Sequence, residues 1–253
     1  MNLREAAPRR DYLSVAPDCE ELGRRAAHTI AETVHRRSDA VISLTTGHTM
    51  AGVYKRLGEL CRAGTLDLGA TRLISSEEYA GVGGGDLISL FGWLRRDLLD
   101  PCGVPPAAVL RLAGDAPDAT AECRRFDAAI DGLGGIDLVV QSIGPNGHFG
   151  FNEPGSARDA PSRVVDLAAS THQSNSHYWP DGARVPERGL TMGVRATLRA
   201  KHVLLLASGA PKAEALARAV EGPIGEDVPC SLLRLATRLT ILADAGAMER
   251  LRR

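Results

Sequence analysis

A polar, glycine-rich segment, GPNGHFGFNEPGS, runs from Gly144 to Ser156 and directly follows a short apolar segment. Within it, His148 and Glu153 are the side chains best suited to move protons, because a carboxylate can fix the tautomer of an imidazole and tune its basicity. The neighbouring glycines let the backbone approach a ligand closely and present its N–H groups. The segment therefore predicts an acid/base site. For GPNGH alone, ordinary turn chemistry with a solvated histidine is an equally good interpretation.

A second candidate site is the segment TTGHT, from Thr45 to Thr49. It lies between a predicted buried strand, 40–44, and a predicted helix that starts at Met50. Free N–H groups at the start of a helix can bind an anion, so Thr46, Gly47 and Thr49 are candidates for cradling a phosphate. No Gly-Lys-Ser/Thr follows, which excludes a Walker motif. A helix N-cap with a tight turn uses the same residues and remains the alternative.

Three further charged residues, the adjacent pair Glu77 and Glu78 and the separate Lys212, are candidates for the site. Glu77 and Glu78 follow the predicted strand 71–75. On an exposed loop they would be a solvated pair, whereas in a cleft burial and mutual repulsion would raise one pKa and prepare that group for proton abstraction. Lys212 lies in the first turn of a predicted helix, where a cation opposes the helix dipole. It is therefore either solvated or serves an anion held there.

Strand-length apolar segments alternate with amphipathic helical segments along the chain. This alternation predicts an α/β fold, with an open, mainly parallel sheet and helices on both faces, in a single domain covering 1–253. The four candidate segments each follow the C-terminal end of a strand, so we expect them to share one crevice. The predicted strands are 40–44, 71–75, 107–112, the apolar segment from Ile136, 163–167, 201–207 and 238–243, and the predicted helices are 18–37, 50–63, 87–99, 118–133, the segment after Ser208 and 245–253.

Composition excludes several classes of protein. The formal net charge is -1 with no uninterrupted basic segment, so nucleic acid is not expected as a partner. The five cysteines are odd in number and widely spaced, which indicates reduced thiols of a cytoplasmic protein and neither a disulfide framework nor a metal site. No segment reaches the ~20 apolar residues that cross a bilayer, so no membrane partner is expected. The polar start, MNLREAAPRRDYLSV, lacks the apolar core of a signal peptide.

The segment 168–186 has no clear period and is rich in Ser, His, Asn and Gly. A long irregular segment inside a compact domain is usually functional. We therefore predict that 168–186 forms an active-site lid.

At GPNGHFGFNEPG the sequence resembles the signature of the glucosamine-6-phosphate deaminase/isomerase family. The resemblance spans nearly the whole chain: TTGHT is similar to the family's phosphate loop, SEEYAGV to its D-E-Y-x-G segment, and VPERGLTMGV and SGAPKAEAL to later segments. The related 6-phosphogluconolactonases share the G-P-x-G-H core but lack the F-N-E-P continuation found here from Phe151 to Pro154.

The resemblance implies a Rossmann-like fold that acts on a hexose 6-phosphate without a metal or organic cofactor. It implies that His148 opens the sugar ring, that Glu153 orients His148, and that Glu77 removes the C2 proton, after which ammonia leaves as the 2-amino aldose becomes a ketose. Lys212 and the backbone of Thr46–Thr49 would hold the phosphate. The predicted catalytic residues are Glu77, Asn146, His148 and Glu153, and the predicted substrate- and phosphate-binding residues are Thr45, Thr46, Gly47, His48, Thr49, Glu78, Ser142, Gly144, His177 and Lys212.

Several positions depart from the family pattern. Glu77 is one methylene longer than the family's aspartate, and a displacement of about 1 Å can cost ~10²-fold in rate. His48 replaces the second glycine of the phosphate loop, and Ser142 replaces a glycine before the signature. Asn146 occupies a position that is Asp in some members and Asn in others.

The segment THQSNSHYW carries His177 where the family has an arginine that binds phosphate. Losing a bidentate phosphate ligand is not neutral, although Arg184 or Arg188 could replace it. The substrate is therefore a 2-amino hexose 6-phosphate or another phosphorylated or anionic sugar.

Two other functions stay open: a 6-phosphogluconolactonase-like hydrolase and a non-catalytic sugar-phosphate sensor. Only 17 residues precede the first predicted helix, so the DNA-binding unit of such a sensor is not expected there. A homo-oligomer is also left open.

Overall fold

The computed structural model describes residues 11–180 and 183–252. The polar start, 1–10, two residues of the predicted lid, 181–182, and Arg253 at the end of the predicted last helix lie outside the described residues. The strands are β1 (Leu13–Ala16), β2 (Val41–Leu44), β3 (Arg72–Ser75), β4 (Glu77–Tyr79), β5 (Leu110–Arg111), β6 (Leu138–Ser142), β7 (Arg163–Asp166), β8 (Arg188–Thr191), β9 (His202–Ala207) and β10 (Leu239–Asp244). The α-helices are α1 (Cys19–Arg36), α2 (His48–Arg62), α3 (Leu90–Leu94), α4 (Ala119–Gly132), α5 (Ala169–Asn175), α6 (Val194–Arg199), α7 (Ala213–Glu221) and α8 (Pro229–Leu232).

Seven strands form one sheet in the order β1-β10-β9-β6-β2-β3-β5, and every pairing in it is parallel. Its central strands are buried on both faces, because alternate residues enter different cores: Val203 and Leu205 of β9 join one core, and Leu204 and Leu206 join the other. Strands covered on both faces are expected to be continuously apolar, as β9 is. The predicted α/β class, with an open, mainly parallel sheet, is confirmed.

Helices cover both faces of this sheet. One core contains apolar side chains of α1 and α2, such as Leu22 and Leu57, and the opposite core contains those of α4 and α7, such as Phe126 and Leu216. Helix α1 starts where the Asp18 carboxylate accepts a hydrogen bond from the Glu21 N–H, a standard N-cap. The helices thus pack as the alternating sequence predicts, and the loops at the C-terminal strand ends stay free to form a site.

A second, three-stranded sheet was not predicted. Strands β4, β8 and β7 pair antiparallel in the order β4-β8-β7. The sequence did not reveal β4 or β8, and the segment 163–167, expected in the main sheet, forms β7 here instead. Gly189 in β8 lies directly under the Phe151 ring, since a Cβ there would come within 2.5 Å of it. The small sheet therefore holds Glu77, on β4, next to the loop that carries His148.

Three local predictions differ from the structure in part or in full. Residues 245–250 form turns and not a helix, because the Asp244 carboxylate accepts from the Ala247 N–H and no continuous ladder of helical bonds follows. The segment 168–186 contains helix α5 and one 3-10 turn, Ser176–Tyr178, although it shows no helical period. The helix expected at 87–99 begins only at Leu90, because Ser89 caps it.

Candidate active site

One cavity of about 1380 Å³ opens at the C-terminal edge of the main sheet. All four candidate segments contribute to its wall, so the predicted convergence of distant loops is found. The predicted site residues on this wall are Thr45, Thr46, Gly47, His48, Thr49, Glu77, Ser142, Gly144, His148, His177 and Lys212.

His148 and Glu153 form an ordered acid/base pair inside the loop that follows β6. The Nδ1 atom of His148 lies 3.3 Å from Oε2 of Glu153, and both side chains are nearly buried. A carboxylate at this distance favours the tautomer with the proton on Nδ1. The Nε2 lone pair of His148 is then free to take a proton from a ligand in the cavity.

Glu153 is itself held by three donors. Its Oε1 accepts from the Thr171 hydroxyl at 2.5 Å and the Ala168 N–H at 3.2 Å, and its Oε2 accepts from the Asn146 amide at 2.8 Å. Burial alone would raise the pKa of Glu153, but hydrogen bonding and attraction to His148, with the bonds from Thr171 and Asn146, lower it to about 2. The carboxylate is therefore ionised at any physiological pH.

Asn146 links the two ends of this loop. Its side-chain carbonyl accepts from the His148 N–H at 3.1 Å while its amide group donates to Glu153. Asn146 and Glu153 lie behind the imidazole rather than on the cavity wall. Their geometry supports an orienting role for both residues.

Gly144 provides the space that the imidazole occupies. A Cβ at this position would lie 2.2 Å from Nε2 of His148 and would collide with the ring. The Gly144 N–H also donates to the His148 carbonyl at 2.8 Å, which closes the turn. Gly144 was predicted to bind substrate, and the structure gives it a further role in seating the ring.

Glu77 is buried at the foot of the same cavity. The Thr45 hydroxyl donates to its Oε1 and the Ser76 hydroxyl to its Oε2. Burial raises the pKa of Glu77, and the hydrogen bonds from Ser76, Thr45 and the Thr46 backbone oppose that rise. A Cβ at Gly150 would lie 3.2 Å from Oε2 of Glu77, so the carboxylate packs directly against the loop that carries His148. A buried carboxylate of raised pKa suits proton abstraction from carbon.

Gln141, on β6, extends the polar network around Glu77. Its side-chain N–H donates to the Ser76 hydroxyl at 3.2 Å. Among the described residues no group hydrogen bonds to its buried Oε1. A buried acceptor of this kind is uncommon in folded proteins and is frequently completed by a ligand or water.

Glu78 does not line the cavity, so its predicted role in substrate binding is not supported. Its carboxylate accepts from the Ser89 hydroxyl at 2.6 Å and from the N–H groups of Leu90 and Phe91 at 3.0 and 3.1 Å. These N–H groups belong to the first turn of α3, where a carboxylate is favoured by the helix dipole. Alternation along β4 explains the difference, because adjacent residues of a strand point to opposite faces.

The start of α2 provides an anion site of the expected kind. Gly47 takes a φ of +126°, and in the part of the chain that the structure describes no side chain caps the free N–H groups at this end of the helix. The Thr46 and Thr49 side chains are half-exposed beside it. Lys212 faces the same cavity, and burial lowers the pKa of its amine. An oxyanion bound here would meet both N–H donors and a cation.

The segment after β7 contributes more to the site than its sequence indicates. His177 and Tyr178 lie on the cavity wall, and Tyr178 packs edge-on against Trp93 with ring centroids 4.7 Å apart. Arg184 and Arg188, proposed as substitutes for the family's arginine, do not line the cavity. Arg188 lies exposed on β8.

The sequence analysis gave no role to the hydroxyl groups that hold the two carboxylates, although Ser76 lies in a candidate segment. Thr171 binds Glu153, and Ser76 binds Glu77. No motif marks Thr171, because its segment shows no period. Ser76 lies next to the predicted glutamates, so its place at a strand end was the one signal that could have identified it.

Comparison with known proteins places this geometry in a family. Residues 17–242 match the model of the family described as glucosamine-6-phosphate isomerases/6-phosphogluconolactonase. The chain belongs to this family. The matched region includes all four loops of the cavity.

Curated sequences similar to this chain include proteins named glucosamine-6-phosphate deaminase. A glucosamine-6-phosphate deaminase of Geobacillus sp. (strain WCH70) is 38% identical over 234 residues, covering 92% of this chain and 93% of that protein. Glucosamine-6-phosphate deaminase 1 of Bacillus subtilis (strain 168) is 38% identical over 228 residues, covering 90% and 94%.

Solved structures agree on the fold. A monomeric glucosamine-6-phosphate deaminase superposes with a TM-score of 0.91 at 37% identity and covers 94% of this chain and 99% of that one. A 6-phosphogluconolactonase from Leishmania guyanensis, 20% identical with a TM-score of 0.73, covers 94% and 97% and shares the fold alone. Among the described residues, no helix is long and apolar enough to cross a membrane.

Proposed function

We propose that this protein converts a 2-amino hexose 6-phosphate into a ketose 6-phosphate and ammonia. One observation carries the proposal: His148, with its orienting Glu153, and the buried Glu77 lie on the wall of a single cavity that also contains an anion-binding helix start and Lys212. Ring opening and proton transfer between carbons need two separate proton-transfer groups at one substrate, and this cavity has both.

The phosphate is held at the α2 end of the cavity, by the N–H groups that follow Gly47 and by the Lys212 side chain. Binding of the phosphate positions the sugar, because the catalytic groups then react with a substrate that is already held in place. The hexose carbons extend from there toward His148 and Glu77.

At the reacting end, Nε2 of His148 takes the proton of the O1 hydroxyl and returns it to O5, which opens the ring. Glu77 then removes the proton from C2 and returns it to C1, and one proton of the C2 amine passes to O1, so that the C1 aldehyde and the C2 amine become a C1 alcohol and a C2 imine. Water adds to the imine, ammonia leaves, and the ketone remains at C2. The raised pKa of Glu77 makes its carboxylate a stronger base than an exposed one.

The relatives support this reaction class. The Geobacillus and Bacillus subtilis proteins are named glucosamine-6-phosphate deaminases, and this chain covers at least nine-tenths of each. The lactonase structures share the fold at about 20% identity, which leaves lactone hydrolysis as the function to test beside deamination.

A substrate panel tests the proposal. Glucosamine 6-phosphate, galactosamine 6-phosphate, glucose 6-phosphate and 6-phosphogluconolactone are each assayed for ammonia, ketose and lactone hydrolysis. We expect ammonia and ketose in equal amounts from an amino sugar phosphate, and loss of both in His148→Ala. Lactone hydrolysis without ammonia would refute the proposal in favour of a lactonase. Tight binding without turnover would refute it in favour of a sensor.

Three further predictions accompany this function. The segment 168–186 acts as a lid, supported by the cavity residues His177 and Tyr178 and by the bond from Thr171 to Glu153. A cytoplasmic location is supported by the five cysteines, all of them free thiols. Assembly into a homo-oligomer stays a prediction, which sedimentation analysis would test.

A further inference from the structure

Two histidines stack at the mouth of the cavity. The rings of His48, at the start of α2, and His177, in the 3-10 turn after α5, lie 5.2 Å apart at an interplanar angle of 17°. The Tyr178 ring packs against both, with its centroid 4.8 Å from that of His48 and 4.0 Å from that of His177. The Tyr178 hydroxyl also lies 3.3 Å from Nδ1 of His48. These contacts hold the two imidazoles side by side.

The surroundings of this pair favour an anion. Lys212 faces it from the start of α7, and burial, His177 and Lys212 together lower the pKa of His48. Among residues 11–180 and 183–252, no carboxylate forms an ion pair with either imidazole. Burial raises the pKa of the Tyr178 hydroxyl, which therefore stays neutral.

The other charged side chains on the same wall are largely paired. Glu21 bonds to Arg24 and Arg25, and Arg56 bonds to Glu59. Deeper in the cavity lie the carboxylate of Glu77 and the imidazole of His148. The remaining charged residues on the wall are Asp18, Glu20 and Lys55.

We propose that His48 and His177 form a proton-coupled clamp for a phosphate dianion: the imidazole pair takes up a proton as the dianion binds beside Lys212. The clamp rests on the proposed function, because it acts on the phosphate of the same substrate. Without an anion, a charge on one ring opposes a charge on the other and on Lys212. A dianion removes that opposition, so binding and protonation favour each other.

The proposal predicts a specific pH dependence. Substrate affinity is high at acidic pH, where the pair can take up a proton, and falls as the pH rises. Between pH 6.5 and 8.5 we expect KM to rise about tenfold, because an average uptake of about half a proton per site over two pH units changes the affinity by a factor of ten. An arginine stays charged over this whole range, so His177→Arg should reduce the rise in KM to less than about threefold.

Proton uptake is measured directly by calorimetric titration in two buffers of different ionisation enthalpy. The probes are a hexitol 6-phosphate, which has no carbonyl group and cannot react, and inorganic sulfate, a dianion that does not itself titrate near neutral pH. We expect an uptake of about half a proton or more per site near pH 7, and its loss in the double variant with His48→Gln and His177→Gln. Uptake that is absent in the wild type, or unchanged in the double variant, would overturn the clamp.

The controls separate other titrating groups. His172→Gln changes a histidine of the same segment that does not line the cavity, and it should keep the wild-type uptake. The double variant retains the other titratable groups of the wall, Glu77, His148 and Lys212 among them, so any remaining uptake belongs to groups outside the pair. If the protein deaminates its substrate and binds the hexitol 6-phosphate normally but takes up no proton, the clamp is overturned and the proposed function stands. Uptake with sulfate but no binding of the hexitol phosphate would support the clamp and count against the proposed function.

Discussion

The Glu153→Gln variant tests the orienting role of Glu153 at a single atom. Oε1 accepts two hydrogen bonds, from Thr171 and Ala168, so the amide oxygen of a glutamine must take that position. Its NH₂ group then takes the place of Oε2, where it opposes the Asn146 amide and faces Nδ1 of His148. The amide donates to Nδ1, the ring proton moves to Nε2, and the lone pair that should receive the substrate proton is lost.

Both the rate and the stability should respond. A wrong histidine tautomer lowers kcat by about 10² to 10⁴-fold in comparable pairs. The pKa of Glu153 is lowered from 4.5 to about 2, which at about 1.4 kcal/mol per pKa unit is worth ~3 kcal/mol of folding free energy. This contribution is fully present above pH 4.5 and is lost as the pH falls through about 2. The wild type should therefore lose it over that range and the variant should not.

Steady-state ammonia release gives kcat, and urea titrations at several pH values give the free energy of unfolding. Glu249→Gln is the matched control, because the Glu249 side chain is exposed. A Glu153→Gln protein with kcat within about threefold of wild type would refute the tautomer argument. Equal acid sensitivity in the two proteins would refute the assigned stabilisation.

Three further variants test other parts of the account. Alanine at Gly144 places a Cβ 2.2 Å from the His148 ring, so Gly144→Ala should lower kcat at least ~10-fold. The control Gly132→Ala has open space around its Cβ and should keep the wild-type kcat. Equal kcat values for the two variants would contradict the proposed seating of the ring. Lys212→Ala should raise KM about tenfold by removing a phosphate cation, and an unchanged KM would exclude Lys212 from the site. Burial lowers the pKa of His202 to about 4. The free energy of unfolding should therefore fall by ~3 kcal/mol as the pH drops from 6.5 to 4, because over this range the unfolded chain gains a proton that the folded chain does not. His202→Gln should reduce this dependence on pH, and His28→Gln, at an exposed histidine, should not.

The centre of the main sheet could be predicted because its strands are buried on both faces and the helices that cover it have one apolar stripe, whereas the half-exposed edge strand β1 was missed. The four-residue spacing of Leu22, Ala26 and Ile30 identified α1 to within one residue at each end. The small antiparallel sheet could not be predicted, since β4 and β8 are short and lie in sequence dominated by glycine and charge. Their pairing depends on contacts such as that between Gly189 and Phe151, which no local pattern encodes.

The positions of the reactive groups followed from one topological rule, that the loops at the C-terminal ends of parallel strands share a crevice. The rule placed Glu77 and His148 on one wall, but it could not separate Glu77 from Glu78. That separation depends on where the strand β4 begins, because its alternation sends the second carboxylate to the start of α3. Thr171 was missed for a similar reason, since its helix has no period to mark it.

The most direct test of the central claim is exchange at C2 of the sugar in deuterated water. With glucosamine 6-phosphate, the wild-type protein should exchange the C2 proton of the sugar and release ammonia. The Glu77→Gln variant should lower the rate of exchange and the rate of ammonia release by ~10³-fold or more, while it still binds the hexitol 6-phosphate. The side-chain oxygen of a glutamine can still accept the hydrogen bond from the Thr45 hydroxyl, so the variant should remain folded. A Glu77→Gln protein that releases ammonia at more than about a tenth of the wild-type rate would contradict the assignment of Glu77 as the base at C2.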